Sequence, residues 1–155
     1  MTEHKLEGIS TKNSSSEISR WIQKQLKVEF PECKFSVRCS HFSGSSSIDV
    51  YLMTAPFQVF SKETQSNGYP VNGHAQLNHY NFRRYEYEDG LCNGAYLTKQ
   101  GWDLLKRADE IQNYANWDKS DIQSDYFNVH YYTMLSIGKW DKPFQVINRK
   151  ECLLS

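Results

Sequence analysis

The sequence predicts an α+β domain, with helices packed on one face of a small, mostly antiparallel sheet. Three stretches carry that expectation. Residues 34–54 alternate apolar and polar side chains on both sides of a Ser/Gly-rich reversal: Phe35, Val37, Cys39 and His41 before it, Ile48, Val50 and Leu52 after it. Period-2 alternation about a small-residue turn marks a β-hairpin with one face buried. Residues 18–26 repeat apolar side chains at helical spacing, and residues 129–137 alternate again as a strand. The order helix, hairpin, helix, loop, helix, strand suits helices segregated to one face of a sheet.

Taken in order, residues 1–13 are polar and aperiodic and read as a flexible arm, with 14–155 as one domain. Ser14 and Glu17 form a capping-box pattern, in which each side chain satisfies the other's free backbone N–H. Behind it Ile18, Trp21, Ile22 and Leu26 line one face of a helix over 15–29, which Pro31 ends because the residue before a proline avoids the α region. In the hairpin, the turn Ser43-Gly44-Ser45-Ser46-Ser47 reads as longer than a two-residue loop and leaves the register open. Thr54 and Pro56 predict a short second helix with Phe57, Val59, Phe60 and Thr64 toward the sheet. Residues 65–78, with two Asn-Gly pairs and a proline, read as a long surface loop or a small hairpin. His79–Asp89 is aromatic and charged, and fits an irregular strand or a loop equally. Thr98 caps a third helix whose stripe is Leu97, Trp102, Leu104, Leu105, Ala108, Ile111 and Ala115, weakened slightly by Gly101. A brief helical turn over 120–125 is expected, then the strand with Val129, Tyr131, Thr133, Leu135 and Ile137 on one face. Phe144–Ile147 would pair with it across a turn at 138–143.

The chain of 155 residues is long enough for its own core, and 10 Tyr, 8 Phe and 4 Trp offset a modest 39% apolar content. Lys plus Arg and Asp plus Glu are both 18, which weighs against a dedicated nucleic-acid domain, since phosphate contacts call for a basic excess. No run of 18 apolar residues and no signal-peptide hydrophobic region is present, so a soluble, cytoplasmic protein without membrane contact is expected. Cys33, Cys39, Cys92 and Cys152 show no CxxC spacing and read as reduced thiols.

A capped helix leading into Phe35-Ser36-Val37-Arg38, a Gly/Ser-rich turn, Ser46-Ser47-Ile48-Asp49-Val50 and a Thr/Pro-bearing helix start resembles the large polyvalent protein associated domains, in particular number twenty-nine. The resemblance covers residues 14–65 by motif, and continues by element order through the strand 128–137. Met53-Thr54-Ala55-Pro56 departs from the family's Asp-Gly-Pro-like turn, and 66–94 has no counterpart. Such domains occur in proteins of bacteriophages and conjugative elements. The resemblance implies a mobile-element accessory protein working beside DNA transfer or against host defences, and carries no catalytic residues with it.

Candidate chemistry is sparse. Tyr80, Phe82, Arg83, Arg84, Tyr85 and Tyr87 interleave aromatics with arginines, the parts of a protein-interface hot spot or of a single-strand platform. Glu86, Glu88 and Asp89 would repel phosphates, which favours a protein partner, and a half-buried strand accounts for the same run. The acidic residues among 103–125 could face a basic partner, or simply be a solvated helix face. His74, His79 and Cys92 are an incomplete zinc set. Cys92 with His130 is the sole nucleophile–base pairing by position, without a supporting signature. His41 reads as a hydrogen-bonded core histidine. Phosphate-loop, dinucleotide, GxSxG and HExxH patterns are absent, so no cofactor is expected. The expected function is a non-enzymatic mobile-element accessory or anti-defence protein that binds a host- or element-encoded protein through Tyr80–Tyr87. The alternative is a nucleic-acid-associated domain using Lys34 and Arg38 on the open sheet face with Arg83, Arg84 and Tyr85.

Overall fold

The computed structural model describes residues 6–61, 74–77, 82, 87, 97–116 and 130–147. In chain order the elements are α1 (Ser15–Glu29), β1 (Lys34–Phe42), β2 (Ser45–Ala55), β3 (Ala75–Leu77), α2 (Lys99–Asn113), β4 (Tyr132–Ile137) and β5 (Gln145–Val146). The protein is of the α+β class. The sheet is mixed and runs β1-β2-β4-β3, with β5 pairing β2 beyond the end of β4. β1–β2 and β3–β4 are antiparallel, whereas β2–β4 and β2–β5 are parallel.

α1 begins as its sequence predicts. Ser14 accepts from the Glu17 amide at 3.2 Å, and Glu17 accepts from the Ser14 amide at 3.2 Å. The Ser14 backbone N–H, then the Ser14 hydroxyl, hold the Glu17 carboxyl below the usual range. Ile18, Trp21, Ile22 and Leu26 are buried. Residues 6–13 lie against this helix: the Trp21 indole donates to the Glu7 carbonyl at 2.9 Å, and Leu6 and Ile9 pack on the core.

The hairpin turns on Ser43-Gly44 alone, with Phe42 opposite Ser45, so the five-residue turn expected from the serines is corrected to two residues. Gly44 has φ +72, a conformation that other residues adopt at a cost, and this lets the serines that follow enter the ladder. The register Phe35↔Leu52, Val37↔Val50 and Cys39↔Ile48 sends the apolar set of both strands to the helical face. His41 belongs to that face by period, but it lies past the edge of the core and is exposed, hydrogen-bonded to Ser16 Oγ at 3.1 Å. It is not a core histidine.

The second helix expected after Thr54 does not form within the described residues. β2 continues through Ala55, and β5 takes up Thr54 and Ala55 as ladder partners. Val59 and Phe60 are buried without helical structure, because the segment instead runs against the start of α2 and holds its Thr98 cap: Thr98 N–H donates to Val59 O and Thr98 Oγ1 to Gln58 O, and Phe60 bridges Leu97. β5 also departs from the expected pairing. Gly138 (φ +67) N–H donates to Leu52 O, and after the turn the chain resumes in the same direction, alongside β2 rather than β4. The turn expected over 120–125 lies outside the described residues, as do most of 65–78 and 79–89.

α2 buries the stripe the sequence marks, together with Asp109 and Gln112, which its charge pattern did not mark. Gln112 is fully buried, and its amide donates to Ile48 O at 2.8 Å and Met134 O at 3.0 Å. Tyr131 donates its hydroxyl to the Gln112 backbone carbonyl at 2.6 Å, while Asn116 pairs with both backbone groups of Tyr131. The helices are joined by Arg107 and Glu29 at 2.8 Å and by the stacked rings of Trp21 and Tyr114. Gly101 is there because Val59 crosses it: a Cβ would meet the Val59 backbone at 2.9 Å.

Two outcomes follow from this packing. Gly101→Ala gains about 1 kcal/mol in helix propensity but forces overpacking that costs about 1–3 kcal/mol. The expected result is a lowered urea midpoint, and an equal or higher one would show that Val59 can yield. Burial pushes the Tyr131 phenol well above the usual tyrosine range. Because the folded pKa is the higher one, stability is intact below the unfolded value of about 10 and falls as pH rises beyond it. Tyr131→Phe should cost about 1 kcal/mol at neutral pH through the lost hydrogen bond, yet lose less stability than wild type between about pH 7 and pH 11. Urea titrations at both pH values check this, and identical alkaline losses would refute it.

Candidate interaction face

With the helices on one side, the other face of the sheet is built from the alternate residues of each strand. β1 contributes Ser36, Arg38, Ser40 and Phe42. β2 contributes Ser47, Asp49, Tyr51 and Met53, and β4 contributes Tyr132, Met134 and Ser136. Gln76 of β3 stands opposite Ser136. Period 2 makes the assignment unambiguous, since paired residues point to the same side.

One end of this face is aromatic. Phe42 pairs with Ser45 and Tyr132 with Ser47, so small side chains lie on β2 between the two rings. The rings reach over β2 and stack at 6.1 Å, Phe42 51% and Tyr132 43% exposed. The other end is a cation on an aromatic: Lys139 Nζ sits 4.8 Å from the Tyr51 ring centre and 3.2 Å from Ser36 Oγ. Burial, then the neighbouring Asp49, push the Tyr51 phenol up, and Arg38 opposes them. Next along the chain, Trp140 is 82% exposed on a turn closed by two backbone hydrogen bonds between Lys139 and Lys142. An aromatic so exposed on a constrained turn is a ready interface anchor, because little backbone freedom remains to be lost on docking.

Of the residues the sequence singles out, Tyr80, Arg83, Arg84 and Tyr85 lie outside the described residues. Phe82 is 4% exposed with its ring 4.9 Å from that of Trp102, and Tyr87 packs on the same indole at 6.1 Å under Lys99. These two therefore sit on α2 and are not brought to the sheet face. Arg38 is on that face, exposed and without an ion pair among the described residues. Lys34 starts β1 at a bulge. Phe42 and Trp140 were not singled out by the sequence. Tyr132 falls in the outward set of its strand, but only the strand order puts it beside Phe42.

The acidic stretch does not form one face. Asp109 is buried and bonded to Asn113, Asp103 pairs with Lys99 at 3.2 Å, and Glu110 pairs with Arg107 at 2.9 Å. Asp118, Asp121 and Asp125 lie outside the described residues. His130 Nε2–H donates to the Asn13 carbonyl at 2.8 Å, tying the start of α1 to β4. Cys92 and His79 lie outside the described residues, and among those described no three His, Cys, Asp or Glu side chains gather to hold a metal. No described helix is long and apolar enough to cross a membrane.

The Phe42–Tyr132 stack should register as a coupling of about 0.5–1 kcal/mol in a double-mutant cycle with alanine. Urea unfolding of the two single variants and the double variant measures it. Strict additivity would mean that the rings do not meet.

No curated protein and no solved structure shows significant similarity to this chain. The sequence profile of large polyvalent protein associated domain 29 matches residues 13–111. That span runs from the residue before the α1 cap, through both strands of the hairpin, to the last turn of α2, well past the motifs at 14–65. It takes in Gly101, the Thr98 cap and the buried stripe as far as Ile111, and so most of the described core. The chain belongs to the family of large polyvalent protein associated domain 29, domains that accompany the polyvalent proteins of phages and mobile elements.

Proposed function

We propose that this chain is a non-enzymatic interaction module of a mobile element, docking on a host- or element-encoded protein through the face of the sheet that the helices leave uncovered. The carrying observation is the exposed Phe42–Tyr132 stack, held in place by three adjacent strands. Large aromatics on rigid elements lose little entropy on docking and dominate interface energetics. Trp140 adjoins the same side through Lys139, whose ammonium is pinned on Tyr51. A partner drawn from a host defence system would make the chain an anti-defence protein.

A second reading has Arg38, Tyr51 and Phe42 as a platform for single-stranded nucleic acid, in which rings stack bases and the guanidinium meets phosphate. Asp49, directly opposite Arg38, offsets that charge and favours a protein. Affinity capture from host lysate, with and without nuclease, compares wild type with Phe42→Ala/Trp140→Ala. The expected result is a nuclease-resistant partner that the variant loses while its circular dichroism is unchanged. Partners released by nuclease, with binding that falls steeply with salt, would transfer the function to the second reading.

A further inference from the structure

β1 is the outer strand of the sheet, and its hydrogen-bonding pattern follows from the turn that ends it. A two-residue loop closed by Phe42 and Ser45 makes Phe42, Ser40, Arg38 and Ser36 the residues bonded to β2. The alternate residues Phe35, Val37, Cys39 and His41 therefore turn their N–H and C=O groups outward. At Phe35 that edge is occupied, because Gln23 of α1 donates its amide to the Phe35 carbonyl at 3.3 Å. At Val37, Cys39 and His41 no backbone partner is present among the described residues. Three alternate residues with free donors and acceptors, spanning about 14 Å, are the template for an added strand.

Basic side chains predominate around this edge, and the exposed acid in the turn before β1, Glu32, is already engaged. Ser16 and Gln23 both touch β1, and Arg20 and Lys27 lie on the same flank of α1 by helical spacing, both exposed. A cavity of about 340 Å³ opens at the Phe35 end, lined by Gln23, Lys27, Pro31, Cys33, Lys34 and Phe35, with two lysines and no carboxylate. Arg38 projects from the other side of the strand. Glu17, the nearest acid on α1, is engaged by Ser14 and Asn13.

We propose that the free edge of β1 and the adjoining flank of α1 form a groove that captures an acidic protein segment in extended conformation, adding it to the sheet beside β1. The alternating donors and acceptors match a peptide backbone, which a phosphate chain cannot reproduce, since it offers acceptors alone. The charge selects glutamate- or aspartate-rich segments. A second copy of β1 fits poorly, because it would bring Lys34 and Arg38 against their like. Gln23 stops the added strand at the Phe35 carbonyl, where the cavity receives its terminal side chain. This site is separate from the aromatic face and does not rest on the reading given to that face.

The test is fluorescence anisotropy with a labelled eight-residue peptide of alternating Val and Glu. It is compared with its Val/Lys counterpart, with a Val/Glu peptide N-methylated at alternate amides along either edge, and with an oligo-dT. Wild type is expected to bind the unmethylated Val/Glu peptide and the one N-methylated along the edge that faces away from β1, and to bind neither the peptide methylated along the other edge, the Val/Lys peptide nor the oligo-dT. Arg20→Glu/Lys27→Glu should weaken that binding on the order of tenfold or more, as should Cys39→Pro, which deletes one outward N–H where an edge strand tolerates proline. Trp140→Ala, in the other site, should leave it unchanged. The charge-reversal variant alters only exposed side chains, so it decides the matter even where Cys39→Pro fails to fold. Equal affinity for both N-methylated peptides, retained binding in Arg20→Glu/Lys27→Glu, a preference for oligo-dT, or loss of binding in Trp140→Ala would each overturn the proposal.

Discussion

The side-chain amide of Gln112 governs how this fold closes. β2 and β4 run parallel, so the chain must leave one end of the sheet and return to the other through a crossover, with α2 inside it. A helix in that position could slide along the sheet if only apolar contacts held it. Gln112 prevents this by donating to Ile48 O on β2 and Met134 O on β4 at once. The Ile48 carbonyl, which is buried, would cost about 1–3 kcal/mol if left without a donor. The geometry is therefore over-determined at one point. Tyr131 and Asn116 extend the same fixture to the entry of β4.

From that point the exposed features follow. With α2 docked and α1 held against it by Glu29 and Arg107, both helices are committed to one face, and the other is left to the outward residues of the strands. The serines of β2 are what make that face usable, because they let rings on the flanking strands meet above them. The same strand order leaves β1 at the rim, where the outward backbone groups of Val37, Cys39 and His41 have no partner among the described residues, beside a basic helix flank. The aromatic face and the strand edge are thus two consequences of one topology.

Much of the local structure was legible. The capping box at Ser14, the Thr98 cap and both apolar stripes lie where the residues put them, because each depends on neighbours within a few positions. The failures share a cause. Thr54-Ala55-Pro56 is a sound helix start in isolation, but β5, some ninety residues on, recruits Thr54 and Ala55 into the ladder. Gly101 reads in sequence as a weak helix position, but its missing Cβ is what lets Val59 cross α2. Within the aromatic run at 80–87, Phe82 and Tyr87 pack on Trp102, a contact that only the fold brings about.

The sequence by itself determined the α+β class, the two long helices, the faces of the hairpin and the family, since all of these are written in periodicity, caps and motif. Only the tertiary structure decided the strand order, the parallel β2–β4 pair, the meeting of Phe42 with Tyr132 and the open edge of β1. The physical reason is range. Propensity and amphipathic spacing act within a turn or a strand, whereas each of those outcomes depends on contacts between residues far apart in the chain.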